Sequence, residues 1–245
     1  MRTNAYGQPI GPSVAEWSAR VRPSRAPMSG RYCRLEPVDV ERHAAELFDA
    51  YSGAPDDRDW TYLFAERPMD VSACRAYVGA LAASVDPLHY AVIESANGRA
   101  VGTAALMRIE PVHGVIEVGA IAYSPLLKHT RAGTEAMYLM MRRAFDELGY
   151  RRYEWKCDNL NAPSHSAAKR YGFTFEGIFR QAIVYKGRNR DTAWYSITDV
   201  EWPRVRAGFE AWLGPHNFDA AGAQRRSLGE FRDALRTETD LPKDG

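Results

Sequence analysis

The run Lys128-His129-Thr130-Arg131-Ala132-Gly133-Thr134 is the stretch whose residue types and position bear most directly on chemistry. It opens a segment, about Arg131 to Leu148, in which Ala136, Met140, Ala144 and Leu148 share one stripe beside Met137, Met141 and Phe145. Arg142, Arg143, Asp146 and Glu147 fall largely opposite, a period that predicts an amphipathic helix closed by Gly149. The first turn of such a helix carries free backbone N–H groups and the positive end of its dipole, which together favour an anion of the pyrophosphate kind. The same spacing also fits a capped surface helix with Lys128 and Arg131 in solvent, and spacing alone leaves both readings open.

Other chemistries find little support. Cys33, Cys74 and Cys157 are odd in number, far apart and outside any CxxC or Cys/His cluster, so neither a disulfide framework nor a metal site is indicated. A reducing cytoplasm is the simplest setting. His129 and His165 stand in no Ser/His/Asp arrangement for nucleophilic catalysis and read as surface or core histidines. With 32 Lys plus Arg against 31 Asp plus Glu, the net charge of +1 argues against nucleic acid or an anionic membrane as partner. Any anion site must be local. Arg2 precedes no apolar h-region, and no run approaches the ~18 apolar residues of a membrane span, so the chain is expected to be soluble.

A chain of 245 residues supports one good core, here expected with a leader and a tail. Residues 1 to 30, rich in Pro, Gly, Ser and Arg, read as a tethered leader that packs through Trp17 at most. A strand from Tyr32 to Pro37 precedes a helix capped by Asp39 and running to about Tyr51, and Asp70 to about Ala83 reads as a second helix. His89 to Glu94, Ala100 to Ile109 and Val115 to Tyr123, separated by Asn97-Gly98 and His113-Gly114, predict three consecutive antiparallel strands. After the long helix come a strand alternating Tyr153, Trp155 and Cys157 with Arg152, Glu154 and Lys156, then a helix from about Ala162 to Tyr171 ended by Gly172. Two strands near Phe173 to Tyr185 and Asp191 to Val200 follow, joined by a Gly187-Arg-Asn turn. The tail, 203–245, shows one or two helices and no functional signature. This order gives an α+β protein on a mixed, mostly antiparallel sheet flanked by helices, with the domain at 31–202.

In this setting the Lys128–Ala136 segment resembles the GNAT superfamily of N-acetyltransferases, and its RimJ/RimL-type branch in particular. Asn161-Ala-Pro-Ser164 followed by Tyr171-Gly-Phe173 matches that branch's Asn-x-x-Ser, helix, Gly-Phe pattern. Glu176-Gly177-Ile-Phe-Arg180 with Arg190-Asp191 resembles its closing hairpin, and Leu35-Glu36-Pro37 its first strand. The resemblance covers roughly residues 30 to 202 and is specific through the order and spacing of the motifs. In the family's diphosphate loop, Gln/Arg-x-x-Gly-x-Gly/Ala, Arg131 stands where glycine is usual; an Arg in a first helical turn has ordinary φ, so the loop still serves.

The resemblance implies an acetyl-CoA-dependent N-acyltransferase of the GNAT fold. It places the pyrophosphate on Lys128, His129, Thr130, Arg131, Ala132, Gly133 and Thr134, and the pantetheine arm along the backbone of Ile121 and Tyr123. An amine must be neutral to attack a thioester, yet an α-amino group has a pKa near ~8 and a lysine near ~10.4, so a base or water relay is useful. Glu117, near the middle of the substrate-facing strand, is the candidate base; an exposed strand carboxylate is the competing reading. Many relatives protonate the leaving thiolate with a tyrosine four residues before the Gly-Phe pair, a position held here by Ala168. In the RimJ/RimL-type branch Ser164 takes that role and Asn161 positions the coenzyme; helix-start positions for both are compatible with it. Glu135 in the first helical turn reads as a complement to the dipole. Trp60 and Tyr62, with Phe64, border the expected acceptor pocket or else pack in the core.

The acceptor is expected to be a primary amine, foremost a protein or peptide N-terminus, and a homodimer is left open. An aminoglycoside or polyamine acceptor is kept in view by Asp56, Asp57 and Asp59, and a non-catalytic acyl-CoA-binding module by Ala168 and Arg131.

Overall fold

The computed structural model of the chain describes residues 2–235. A short hairpin, β1 (Arg2–Thr3) with β2 (Pro9–Ile10), precedes the main sheet. That sheet comprises β3 (Met28–Ser29), β4 (Cys33–Pro37), β5 (Leu88–Glu94), β6 (Ala100–Glu110), β7 (Val115–Tyr123), β8 (Arg152–Asp158), β9 (Thr174–Tyr185) and β10 (Arg188–Thr198). The helices are α1 (Val40–Ser52), α2 (Val71–Ala83), α3 (Arg131–Arg142), α4 (Ala162–Tyr171), α5 (Trp202–Leu213) and α6 (Leu228–Asp233). Strand order is β3-β4-β5-β6-β7-β8-β10-β9, and every neighbouring pair is antiparallel except β7 with β8. This is the expected α+β architecture.

Local chemistry fixes the boundaries. The carboxylates of Asp39 and Asp70 accept from the N–H groups of Arg42 (2.9 Å) and Ala73 (2.7 Å), so α1 and α2 start where the sequence places them. Gly172 ends α4 in the left-handed region at φ 99°, which a side chain there would strain. Alternation divides the core into two layers. Leu106, Ile116, Val118, Tyr153 and Trp155 face α3 and α4, while Ala91, Ile93, Ala100 and Ala122 meet Leu47, Tyr51, Cys74 and Val78 of α1 and α2. The second layer stops at Ala122, which leaves the face of β7, β8 and β10 on that side uncovered by helices.

Three expectations change. The leader does much more than rest on Trp17. Besides the Trp17 indole bond to Val112 O (2.9 Å), Arg20 donates to Gly149 O (2.8 Å) and Arg22 to Ile109 O (3.1 Å). The hydroxyls of Tyr90 and Tyr150 donate to Ser24 O (2.9 Å) and Val21 O (3.2 Å), and Met28 joins the sheet. Polar stitching of this kind leaves no hydrophobic period to read. The long helix is α-helical only to Arg142 and closes with a π turn over Arg143–Glu147. Its Arg143, expected on the outer face, is buried, donating to Pro27 O (3.0 Å) and pairing with Glu147 (2.5 Å). The β9–β10 turn is Lys186-Gly187, both at positive φ (48° and 67°), with Arg188 and Asn189 already in strand.

Candidate active site

The chemistry gathers where β7 and β8 part. They pair only from Val115–Val118 against Arg152–Trp155. Beyond Val118 an extra residue in β7, Ala120 at φ 46°, forms a bulge against β6, where Thr103 faces Ala122 and Ala105 faces Gly119. The bulge bends β7 away from β8, so the β8-facing backbone from Gly119 to Tyr123 has no strand partner among the described residues. A cleft of about 1970 Å³ opens there, bordered by the starts of α3 and α4, the 58–65 loop and a C-terminal stretch containing Phe218 and Gly222. The splay brings together Ile121, Tyr123, Glu117, Ser164, Asn161 and Lys128 to Thr134.

The start of α3 leaves backbone amides unpaired at the cleft wall. His129, at φ 59°, turns the chain, and the Thr130 hydroxyl donates to Leu127 O (2.7 Å) while accepting from Gly133 N (3.0 Å). The N–H groups of His129, Arg131 and Ala132 have no partner among the described residues. Gly133 is required by close approach: a Cβ would lie 2.6 Å from Leu127 O and 3.2 Å from the Tyr123 ring. The Tyr123 hydroxyl donates to Gly133 O (3.1 Å), tying the splayed strand to the helix. Arg170 donates to the Thr134 hydroxyl (3.1 Å). Gly133→Ala should therefore open the loop and weaken CoA binding about tenfold, equivalent to ~1.4 kcal/mol, as read by titration calorimetry; unaltered affinity would show that the loop yields freely.

Side chains of the loop are already engaged. Lys128 forms an ion pair with Asp59 of the 58–65 loop. The Arg131 guanidinium lies between the rings of Tyr32 and Phe218, at 4.9 and 4.8 Å from their centroids. The tail, read as having no functional signature, thus reaches the cleft: Phe218 covers Arg131, and Trp212 stacks under Arg170 at 5.0 Å. Tail positions at 236–245 lie outside the described residues.

Glu117 is buried, on the uncovered face of β7. Lys156 donates to it at 2.8 Å and to Glu154 at 2.6 Å, Arg108 stands 3.4 Å away, and the Lys156 ammonium lies 3.8 Å above the Trp194 ring. Burial raises the Glu117 carboxyl above its ordinary range, against the pull of Lys156. It is therefore not an exposed strand carboxylate. Glu135 departs further from its expectation: its buried carboxylate accepts from the N–H groups of Arg31 (2.8 Å), Tyr32 (2.6 Å) and Cys33 (2.8 Å), binding the start of β4 to α3.

At the other lip, Asn161 caps α4, its Oδ1 accepting from Ser164 N (3.2 Å). The Ser164 hydroxyl accepts from the Trp155 indole (3.0 Å), which leaves its own proton free to donate. Ala168 is fully buried. His165 is held on both nitrogens, by the Tyr195 hydroxyl (2.5 Å) and Asn159 O (3.1 Å). Trp60 packs edge-on against Tyr51 and Tyr77, with only a margin toward the cleft, whereas Tyr62 bridges to Leu160 O (3.1 Å) across its mouth. Asp56, Asp57 and Asp59 pair with Arg58, Arg67 and Lys128 respectively. Among the described residues no group of three or more His, Cys, Asp or Glu side chains could hold a metal ion, and no helix is long and apolar enough to cross a membrane.

Sequence reasoning missed Lys156, Trp155 and Arg190 as parts of the site. Their alternation was visible, but β8 and β10 appeared as ordinary half-exposed strands, and only the sheet order puts Lys156 beside Glu117 and brings Trp155 and Arg190 to the same cleft.

Comparison with known proteins agrees with this geometry. A family model described as the acetyltransferase (GNAT) domain matches residues 33–174. A crystal structure of a GCN5-related N-acetyltransferase from Brucella melitensis is 49% identical with TM-score 0.88, covering 90% of this chain and 100% of that one. A GNAT-family protein of Chromobacterium violaceum, described as a probable acetyltransferase, is 40% identical with TM-score 0.73, covering 80% of this chain and 98% of that one. A Vibrio cholerae structure provisionally assigned as a ribosomal-protein-serine acetyltransferase shares the fold at 18% identity and TM-score 0.61, covering 71% and 97%. No curated protein matches the chain. The matched segment spans the splay and the starts of α3 and α4, and the chain belongs to the GNAT family of acetyltransferases.

Proposed function

We propose that this acetyltransferase moves the acetyl group of acetyl-CoA onto the α-amino group of a protein or peptide, in the manner of the RimJ/RimL-type branch. The observation that carries the reading is the parting of β7 from β8 between the α3 start, where the N–H groups of His129, Arg131 and Ala132 are free among the described residues, and the side chains of Glu117 and Ser164. The free amides of the α3 start suit the coenzyme's pyrophosphate, and the unpaired edge from Gly119 to Tyr123 suits the amides of its pantetheine arm.

Glu117 takes the amine's proton, directly or through water, and the neutral nitrogen bonds to the acyl carbon. The carbon–sulfur bond breaks, and the departing thiolate takes the Ser164 proton, which solvent restores. The indole of Trp155 holds the hydroxyl in that orientation. Serine is a weak acid, so Ser164→Ala should lower kcat only about threefold to tenfold at unchanged KM for the coenzyme. Full retention of kcat would leave water as the proton source.

The ion-paired Asp56, Asp57 and Asp59 do not form the acidic cleft that a polyamine or aminoglycoside would seek. Thiol release from acetyl-CoA, followed with peptides of varied N-terminus beside polyamines and aminoglycosides, tests the reading. Turnover of peptides alone supports it; turnover of polycations alone refutes the acceptor; tight CoA binding without any turnover marks a binding module.

A further inference from the structure

Arg190 is a cation without an anion. It is 7% exposed, lines the cleft, and its Nε is buried with no hydrogen-bond partner. Its guanidinium lies 5.9 Å from the ring centroids of both Phe64 and Tyr185 and enters no ion pair among the described residues. Burying a guanidinium without carboxylate or carbonyl is costly, and such a group is retained where something else satisfies it. The neighbouring acid does not: Asp158 accepts from the Tyr185 hydroxyl (2.8 Å) and from Leu160 N (2.9 Å) and forms no ion pair with Arg190.

The rest of the strand repeats the pattern. Arg190, Thr192 and Trp194 alternate along β10 and so share a face, on which Thr192 pairs in register with Asp158 and Trp194 with Lys156. Thr192 Oγ1 and Trp194 Nε1 are likewise buried without partners. The orphaned polar atoms therefore run along the β10 face, from the cleft wall toward the Lys156–Glu117 pair.

We propose that Arg190 docks a carboxylate carried by one of the two substrates, either an acidic acyl chain or an acidic acceptor, and so sets specificity. The planar fork of the guanidinium matches a carboxylate in two parallel hydrogen bonds. A single negative charge also matches one guanidinium, whereas the second charge of a phosphate would face Asp158. The proposal rests on the acyl-transfer reading, but binding measurements keep the two separable.

The test compares isosteric pairs in both arms. Calorimetry and thiol release are measured with succinyl-CoA against butyryl-CoA, and with acceptor peptides bearing Glu against Gln near the N-terminus. One arm is expected to prefer its carboxylate member by about tenfold or more, a ratio that Arg190→Gln collapses to near one and Arg190→Lys restores in part. The melting temperature of each variant separates this from unfolding. If neither arm shows a carboxylate preference, or if Arg190→Gln weakens both members of each pair equally, Arg190 is a structural cation and the proposal falls. If no pair releases thiol while calorimetry still shows an Arg190-dependent carboxylate preference, the docking site stands and the transfer reading fails.

Discussion

Glu117→Gln is expected to lower kcat about 100-fold with little change in coenzyme affinity, and to abolish the ascending limb of the pH–rate profile. The substitution keeps the side chain's size and leaves Lys156 bonded to Glu154, so the buried ammonium is not stranded. What it removes is the basic oxygen at the cleft floor. The sign of the pH effect follows from burial. Desolvation holds the Glu117 carboxyl above its usual value of 4.5, so the base is lost as pH falls through that raised value, earlier than for a free glutamate. The wild-type rate should therefore climb across a window above 4.5, and the Gln variant should be flat there. An ascending limb that survives in Glu117→Gln would assign the titration to the amine itself.

The largest effect on stability is expected from Glu135→Ala. Three backbone N–H groups, those of Arg31, Tyr32 and Cys33, would lose the buried carboxylate that accepts from them, and the Cys33 amide lies where water cannot replace it. The loss should amount to about 3–5 kcal/mol, or roughly 10 °C in Tm, measured by thermal or urea unfolding. Glu135→Gln, which retains one acceptor oxygen, should lose about half as much. A change below about 1 kcal/mol in Glu135→Ala would mean that the start of β4 holds without its clamp.

These two residues also show what a sequence can and cannot disclose. Glu117 was legible because a strand pattern and a family resemblance located it, yet its partner Lys156 comes from a strand 39 residues away, and only the parallel pairing of β7 with β8 joins them. Glu135 was misjudged because first-turn acids usually serve the dipole, and nothing local says that another strand's amides converge on this one. Caps and turns fared better: Asp39, Asp70, Asn97-Gly98 and Gly172 act on their immediate neighbours, so their meaning is contained in a few residues. The bulge at Ala120, on which the cleft depends, has no signature, since alanine rarely adopts φ 46° and does so here in a register shift against β6 that the local sequence does not announce.

The leader's stitching has a consequence for how the chain is made. Its partners are distant: Trp17 waits for Val112, 95 residues later, and Arg20 and Val21 for Gly149 and Tyr150, each 129 residues later. At ordinary translation speeds, roughly 5–20 residues per second, the segment spends on the order of 5 to 25 s outside the ribosome with nothing to dock on. A segment rich in Pro, Ser and Arg, held finally by guanidinium and indole donors, can spend that interval hydrated and unpaired without inviting aggregation. The composition that hid its attachment from a hydropathy reading is what makes an early-synthesised, later-docked strap workable.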